Sequence, residues 1–344
     1  VNFSLGLKKN KWLFDIFIFT LLLLISSPVT GQTLRIKGFA DVNTSVENQK
    51  VSFDLGEQDL FLTAELSNKL SFLGETVFGY DPDSKTKFSV SIERLLLKYN
   101  LYQNNNLIVG KVHTPINYWN DNYHHGKLFY PTIDRPSVFE AEIIPLHSTG
   151  IGFQGQNLGK LKFGYDFMIA NGIGSYEIGD NDSHKSWTLA AHIKPFNNWR
   201  IGASYYNDII SKGAKLHDGK DINHQVSQQL YTASVSYFGK KYELLAEFTL
   251  GDNHTDTTGN KKTQASYLYA GYKIKDKWVV YGRFDDLRYQ AGEILFDKNN
   301  TWSYLIGIRY KINYLSVVKL EYKHQEFELS GSANKISMQF AIGF

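Results

Sequence analysis

The chain has 344 residues, no Cys and a formal net charge of +3. Without Cys it holds no disulfide, so an exported chain of this kind draws its stability from a large core or a closed hydrogen-bond network. No block of like charge argues for nucleic acid, and nothing beyond the N-terminal run is apolar for long enough to cross a bilayer as a helix. In chain order, Lys8, Lys9 and Lys11 precede an apolar run over 16–25 (IFIFTLLLLI), which is followed by Ser-Ser-Pro-Val-Thr-Gly-Gln. A basic start, a short apolar run and small residues before Gln32 are the order of a secretory signal peptide, which predicts residues 1–31 as a leader and 32–344 as the mature domain. Asp15 falls at the edge of the run, where a charge costs far less than at its centre.

From residue 34 onward the chain alternates with period two. Leu161, Phe163, Tyr165, Phe167 and Ile169 share one face; Trp302, Tyr304, Ile306, Ile308 and Tyr310 share another, with aromatics at both ends and aliphatics between. Rings at the ends and aliphatics in the middle are the pattern of a membrane strand whose ends sit at the two interfaces. This reading sends Ile306 to lipid and Leu305 to the lumen. It predicts strands near 34–41, 58–67, 69–80, 87–100, 106–113, 148–155, 160–170, 185–194, 199–207, 228–238, 241–250, 263–274, 277–285, 302–311, 315–325 and 335–344. Short turns alternate with longer polar loops around 42–57, 81–86, 114–147, 171–184, 208–227, 251–262, 286–301 and 326–334. The expected fold is therefore an all-β transmembrane antiparallel barrel of about sixteen strands, an even number as single-chain barrels require. Mean hydropathy of −0.31 does not oppose this, because a barrel with a polar lumen averages its two faces. Two segments break the pattern: Glu93-Arg94 interrupts the face of Val90 and Ile92, as a bulge would, and 263–274 carries Tyr on both faces.

The last segment places Ile336, Met338, Phe340, Ile342 and Phe344 on one face and stops on the aromatic. With the leader and a longest loop between the fifth and sixth strands, this resembles the sixteen-stranded porins of Gram-negative outer membranes, over essentially all of the mature sequence. The resemblance implies a channel in the cell outer membrane whose third external loop folds into the barrel and narrows it. It also implies a C-terminal signal (Phe340, Ile342, Phe344) read by the barrel-assembly machinery. Outer-membrane lipids and small hydrophilic solutes are then the partners, nucleic acid is not, and oligomerisation is left open. The transported solute does not follow from the scaffold.

The loop over 114–147 departs from that family's usual acidic loop, being rich in His and aromatics. HTPINYWN leads to YHHG, a block that resembles barrels of unassigned substrate, then to Asp134-Arg135-Pro136, Glu140, Glu142 and His147. A segment this long inside a compact domain is rarely idle. Three readings apply: a constriction lined by His113, His124, His125, Lys127, Arg135, Glu140 and Glu142, in which Lys127, Arg135 and the His select small anions; a divalent-metal site of His124, His125 and Glu140 or Glu142; or a packed plug. Adjacent His rarely ligate one ion together, so no metal and no cofactor is expected. On the lumen face basic residues outnumber acidic ones; Arg283, Arg309 and Lys319 are taken as pore-lining, and such a bore weakly favours anions.

No catalytic motif supports an enzyme. Gly150-Ile151-Gly152-Phe153-Gln154-Gly155 matches G-x-G-x-x-G, but an alternating strand follows where a nucleotide site needs a helix. Ser148 beside His147 is the one local pair a barrel hydrolase would use, and neighbours in a strand point to opposite faces. A receptor or complex-forming barrel without an open channel is the other alternative.

Overall fold

In the computed structural model, residues 33–81, 85–123, 126–174, 179–215, 221–293, 295 and 299–344 are described; the expected leader lies outside them. Sixteen antiparallel strands pair each with the next, and β1 (Thr33–Glu47) pairs with β16 (Gly331–Gly343), closing the sheet into a barrel. Closure leaves no edge and gives every ladder N–H and C=O a partner, which is what a chain in hydrocarbon requires. Among the described residues no helix is long and apolar enough to cross a membrane.

The period-two reading sorts the two faces of the wall. On β14 (Thr301–Asn313) Ile306 is 60% exposed and its neighbour Leu305 only 2%, so alternate residues look outward and inward. Rings gather at both ends of the outer face. Trp187, Tyr205 and Tyr231 form a chain with centroids 4.9 Å apart at one end, and Trp278 and Tyr310 pack at 4.3 Å at the other. Leu189, Ile201, Phe248, Leu268 and Val280 lie exposed between them. An apolar band between two aromatic girdles matches a bilayer and its interfaces.

The end holding Thr33 and Phe344, here the turn end, carries short turns throughout, such as 103–104, 276–277 and 314–315. The opposite, loop end differs from the expected pattern. Residues 42–57 form no long loop: β1 runs to Glu47 and β2 (Lys50–Glu65) starts three residues later. Asn48 and Gln49 turn between them at φ 50° and 63°, the positive values that a two-residue hairpin demands. The segment reads as loop because Asn43, Ser45, Ser52 and Asp54 are polar, yet Val42, Val46, Val51, Phe53 and Leu55 keep strict alternation beside them. Likewise β11 (Tyr242–Thr255) and β12 (Gly259–Lys275), and β15 (Ser316–Phe327) and β16, meet in tight turns where 251–262 and 326–334 suggest loops. Gly259 and Gly331 occupy the positive-φ positions of those turns. The bulge at Glu93 is present: Glu75 pairs with Arg94 and Thr76 with Ile92, so Glu93 is the extra residue of β4 (Phe88–Tyr102).

At the seam, Phe344 exchanges backbone bonds with Gly38 at 2.8 and 2.9 Å. Its ring covers that glycine so closely that a Cβ there would sit 2.3 Å from the ring. Phe340 and Ile342 lie beside it on the outward alternation, opposite Val42 and Ala40.

Candidate functional site

β5 (Asn105–His113) and β6 (His147–Leu158) run together as far as the His113–His147 pair, and residues 114–146 leave the sheet there. The neck is tied by Thr114 N–H to the Leu146 carbonyl (3.0 Å). Asn120 Nδ2 braces it by donating to the carbonyls of Thr114 (2.9 Å) and Leu146 (3.0 Å). Two short helices, α1 (Tyr118–Asn122) and α2 (Ser137–Glu140), fold the segment back on itself.

The segment packs on inward-facing side chains of β9 (Trp199–Ile210) to β14. Ile116, Trp119, Tyr130, Val138, Phe139, Ile143 and Ile144 form one buried cluster with wall residues including Tyr206, Leu230, Leu245, Tyr267, Tyr269, Tyr281 and Leu305. Burial raises the pKa of the Tyr123 and Tyr130 hydroxyls, so both rings stay neutral.

On this side of the barrel three wall carboxylates receive backbone donors of the loop. Glu247 accepts from the N–H groups of Tyr118 and Trp119 and from the Tyr267 hydroxyl. Asp285 accepts from Ser137 N–H (3.0 Å), and Glu321 from Ile133 N–H (2.6 Å) and the Tyr281 hydroxyl (2.8 Å). Three wall cations take the carbonyls. Arg283 donates to Thr132 Oγ1 (2.7 Å), Asp134 O (2.7 Å) and Arg135 O (3.0 Å), and its Nε pairs with Asp285 at 2.8 Å. Arg309 donates to Pro131 O (3.1 Å) and to both Glu243 oxygens (2.8 and 2.9 Å). Lys319 donates to Lys127 O (2.6 Å), Thr132 O (3.0 Å) and Gln339 Oε1 (3.0 Å). Buried charges are tolerable only when paired and hydrogen-bonded in this way.

Thus Arg283, Arg309 and Lys319 sit beneath the loop, their donors shared between its acceptors and neighbouring wall residues. Lys127 reaches back toward β1 and β2, with Nζ 3.7 Å from Asp41 and 3.8 Å from Glu57, while Gly126 N–H donates to Asp59 (3.1 Å). Arg135 engages the Tyr130 hydroxyl. Glu140 pairs with Lys323 at 3.6 Å, and Glu142 turns the chain after α2 at φ 53°. His113 lies 5.6 Å from the His147 ring and 3.9 Å from Glu75, and His147 is 2.9 Å from Glu93. His124 and His125 lie outside the described residues. Among the described residues no three His, Asp or Glu side chains gather as a metal would need. The G-x-G-x-x-G match is strand β6, Gly155 being covered by the Tyr165 ring, and Ser148 Oγ engages Thr114 Oγ1 at 2.7 Å.

Space remains on the other wall and at the turn end. A cavity of about 360 Å³ runs against the wall from β1 to β7 (Phe163–Ala170), where Arg35, Arg94, Lys98, Asp121 and Asp166 line it. A second, of about 700 Å³, lies beneath α1 with Tyr118, Tyr123 and Phe238 beside Lys273, Lys277, Arg309 and Lys311 against Glu243 and Asp276. A third, of about 560 Å³, shares Tyr118 and Phe238 and adds Lys162, Lys194 and Arg200.

The sequence reading missed the apolar inner face that receives the loop. Its signal is the side-by-side apolar pairs Leu244-Leu245, Val279-Val280 and Leu305-Ile306, together with Tyr267 and Tyr269 flanking Leu268. A strand apolar on both faces has a dry partner on each.

A closed sixteen-strand antiparallel barrel, apolar outside, with charged residues and one long segment inside, is the porin fold. Among solved structures, the chain resembles the outer-membrane-expressed OmpT of Vibrio cholerae (13% identity, TM-score 0.66, covering 92% of this chain and 99% of that one). It also resembles an anion-selective porin from Comamonas acidovorans (10%, 0.65, 91% and 100%) and the outer-membrane channel DcaP of Acinetobacter baumannii (10%, 0.61, 91% and 98%). At these identities the likeness is one of fold. No protein-family model and no curated protein sequence matches the chain.

Proposed function

We propose that the protein is an outer-membrane, porin-like channel through which small hydrophilic solutes diffuse passively. Residues 1–31 direct its export, and Phe340, Ile342 and Phe344 present its last strand to the barrel-assembly machinery. The observation that carries this reading is the asymmetry of the interior: residues 114–146 are clamped to β9–β15, and a charged cavity persists along β1–β7. A clamped segment narrows a bore that sixteen strands would otherwise leave wide. A weak anion preference belongs to the same proposal. The cations lining the two turn-end cavities outnumber the carboxylates there, and in a water-filled bore such an excess focuses a positive potential without a dedicated site.

One observation favours a second reading. The inserted segment touches β1 and β2 as well as the far wall, through Gly126 to Asp59 and Lys127 to Asp41. A segment spanning the bore in this way suits a closed barrel that acts as a receptor or within a complex. Among the described residues no interior contact favours a hydrolase over either. Single-channel recording in a planar bilayer under a salt gradient separates the readings. Stepwise conductance with a reversal potential of anion-preferring sign supports the channel; a folded, inserted barrel without current supports the receptor.

A further inference from the structure

The turn-end cavity of about 700 Å³ is lined by two kinds of side chain, aromatic rings and cations. Tyr118 and Phe238 stack with planes 15° apart and centroids at 6.3 Å, and Tyr123 closes on both at 5.8 and 6.2 Å. This aromatic shelf is the underside of the inserted segment against the end of β10 (Val226–Phe238). Arg309, Lys273 and Lys311 line the same space, Lys273 Nζ donating to the Gly239 carbonyl at 2.8 Å beside Phe238. Glu243 is already shared by Arg309 at 2.8 Å and Lys273 at 3.3 Å. The Lys311 ammonium makes no hydrogen bond or close ion pair among the described residues, Glu243 acting on it only at longer range; the residue pairs across the ladder with Val317, which is buried inside against Leu128. A cation without a close partner and an aromatic surface therefore line one space of about 700 Å³, the size of a small-molecule site.

We propose that this chamber is a binding site for a small anion that carries a flat apolar ring, an aromatic carboxylate being the simplest case. The ring lies on Tyr118 and Phe238, and the carboxylate takes the Lys311 ammonium. Ring contact and a charge-assisted hydrogen bond then act together, so neither an anion without a ring nor a ring without a charge is held as well. The inference rests on the channel reading in one respect, that solute reaches the turn-end chamber.

Benzoate, acetate and benzamide titrated calorimetrically into the full barrel folded in detergent test it at constant ionic strength. Benzoate should bind about ten-fold more tightly than either control, the factor that about 1.4 kcal/mol represents. Lys311→Gln should lower benzoate affinity about five-fold or more while leaving benzamide unchanged. Phe238→Leu, which keeps an apolar side chain but removes the ring, should bring benzoate close to acetate. Benzoate and acetate that cannot be told apart, or folded variants that bind benzoate as the parent does, would overturn the proposal. Because calorimetry needs no current, a barrel that binds benzoate but does not conduct sinks the channel reading alone, and one that conducts but does not discriminate sinks this site alone.

Discussion

The walls β9–β15 and β1–β7 are made of the same alternating strands, yet their inner faces do different things. Across β9–β15 the inward alternates are Leu230, Leu245, Tyr267, Tyr269, Tyr281 and Leu305, buried under the inserted segment and punctuated by Glu247, Arg283, Asp285, Arg309 and Glu321, each hydrogen-bonded to the loop or to a neighbour. Across β1–β7 the inner face carries Arg35, Lys98 and Asp166 around a cavity. The first wall is a protein core turned inside a barrel, and the second is a lumen. Charges on the dry wall hold the loop in place; on the other wall Asp41 and Asp59 hold its near side, while Arg35 stands exposed at the cavity. Residue type alone does not tell these roles apart, because Arg occurs on both.

The largest difference should appear when one cation is removed from each wall. Arg283→Ala leaves Asp285 buried without its partner and strips three loop acceptors, so unfolding in urea should show a loss of about 3–5 kcal/mol. Arg35→Ala on the open wall should change stability by less than about 0.5 kcal/mol. Equal losses would erase the distinction between the walls.

The next test uses neighbours on one strand. Leu305→Ala opens a void in the dry cluster and should cost about 2–5 kcal/mol, whereas Leu96→Ala, half-buried beside the cavity, should cost about 1 kcal/mol or less. Ile306→Arg, on the lipid face between the girdles, should cost about 2–4 kcal/mol near the midplane. A Leu305→Ala variant as stable as the parent would show that the loop does not seal that wall.

Deleting Phe344 should act on assembly. It removes the two backbone bonds to Gly38 and the ring over that glycine, and should lower the amount of heat-modifiable, folded barrel in the membrane; normal amounts would refute the role given to the last strand. Smallest should be the effect of Arg135→Glu: a cation-ward shift of reversal potential at low salt that shrinks as ionic strength rises. A shift independent of salt would point to rearrangement instead.

The barrel itself was legible because one face of nearly every strand is lipid-compatible and the period is strict, as at Ile336, Met338, Phe340 and Ile342. Boundaries at the loop end were not, since the polar alternates of 42–57 look like loop composition while their apolar partners still pair. The bulge at Glu93 was readable from the broken face of Val90 and Ile92. The interior was readable only in part. A polar lumen face assigns Arg283, Arg309 and Lys319 to the pore, but the neighbours that engage them belong to a segment far away in sequence. The Tyr residues on both faces of 263–274 were the visible trace of that segment: Tyr267 and Tyr269 face it, and Tyr272 faces out.

The clamped segment is what narrows the bore in the channel proposed here, and removing residues 118–140 while keeping β5 and β6 tests it. The variant, shown by heat-modifiable mobility to be folded, should give a larger single-channel conductance and a reversal potential closer to that of bulk electrolyte. Conductance and reversal potential both unchanged from the parent would contradict the claim that this segment narrows the bore.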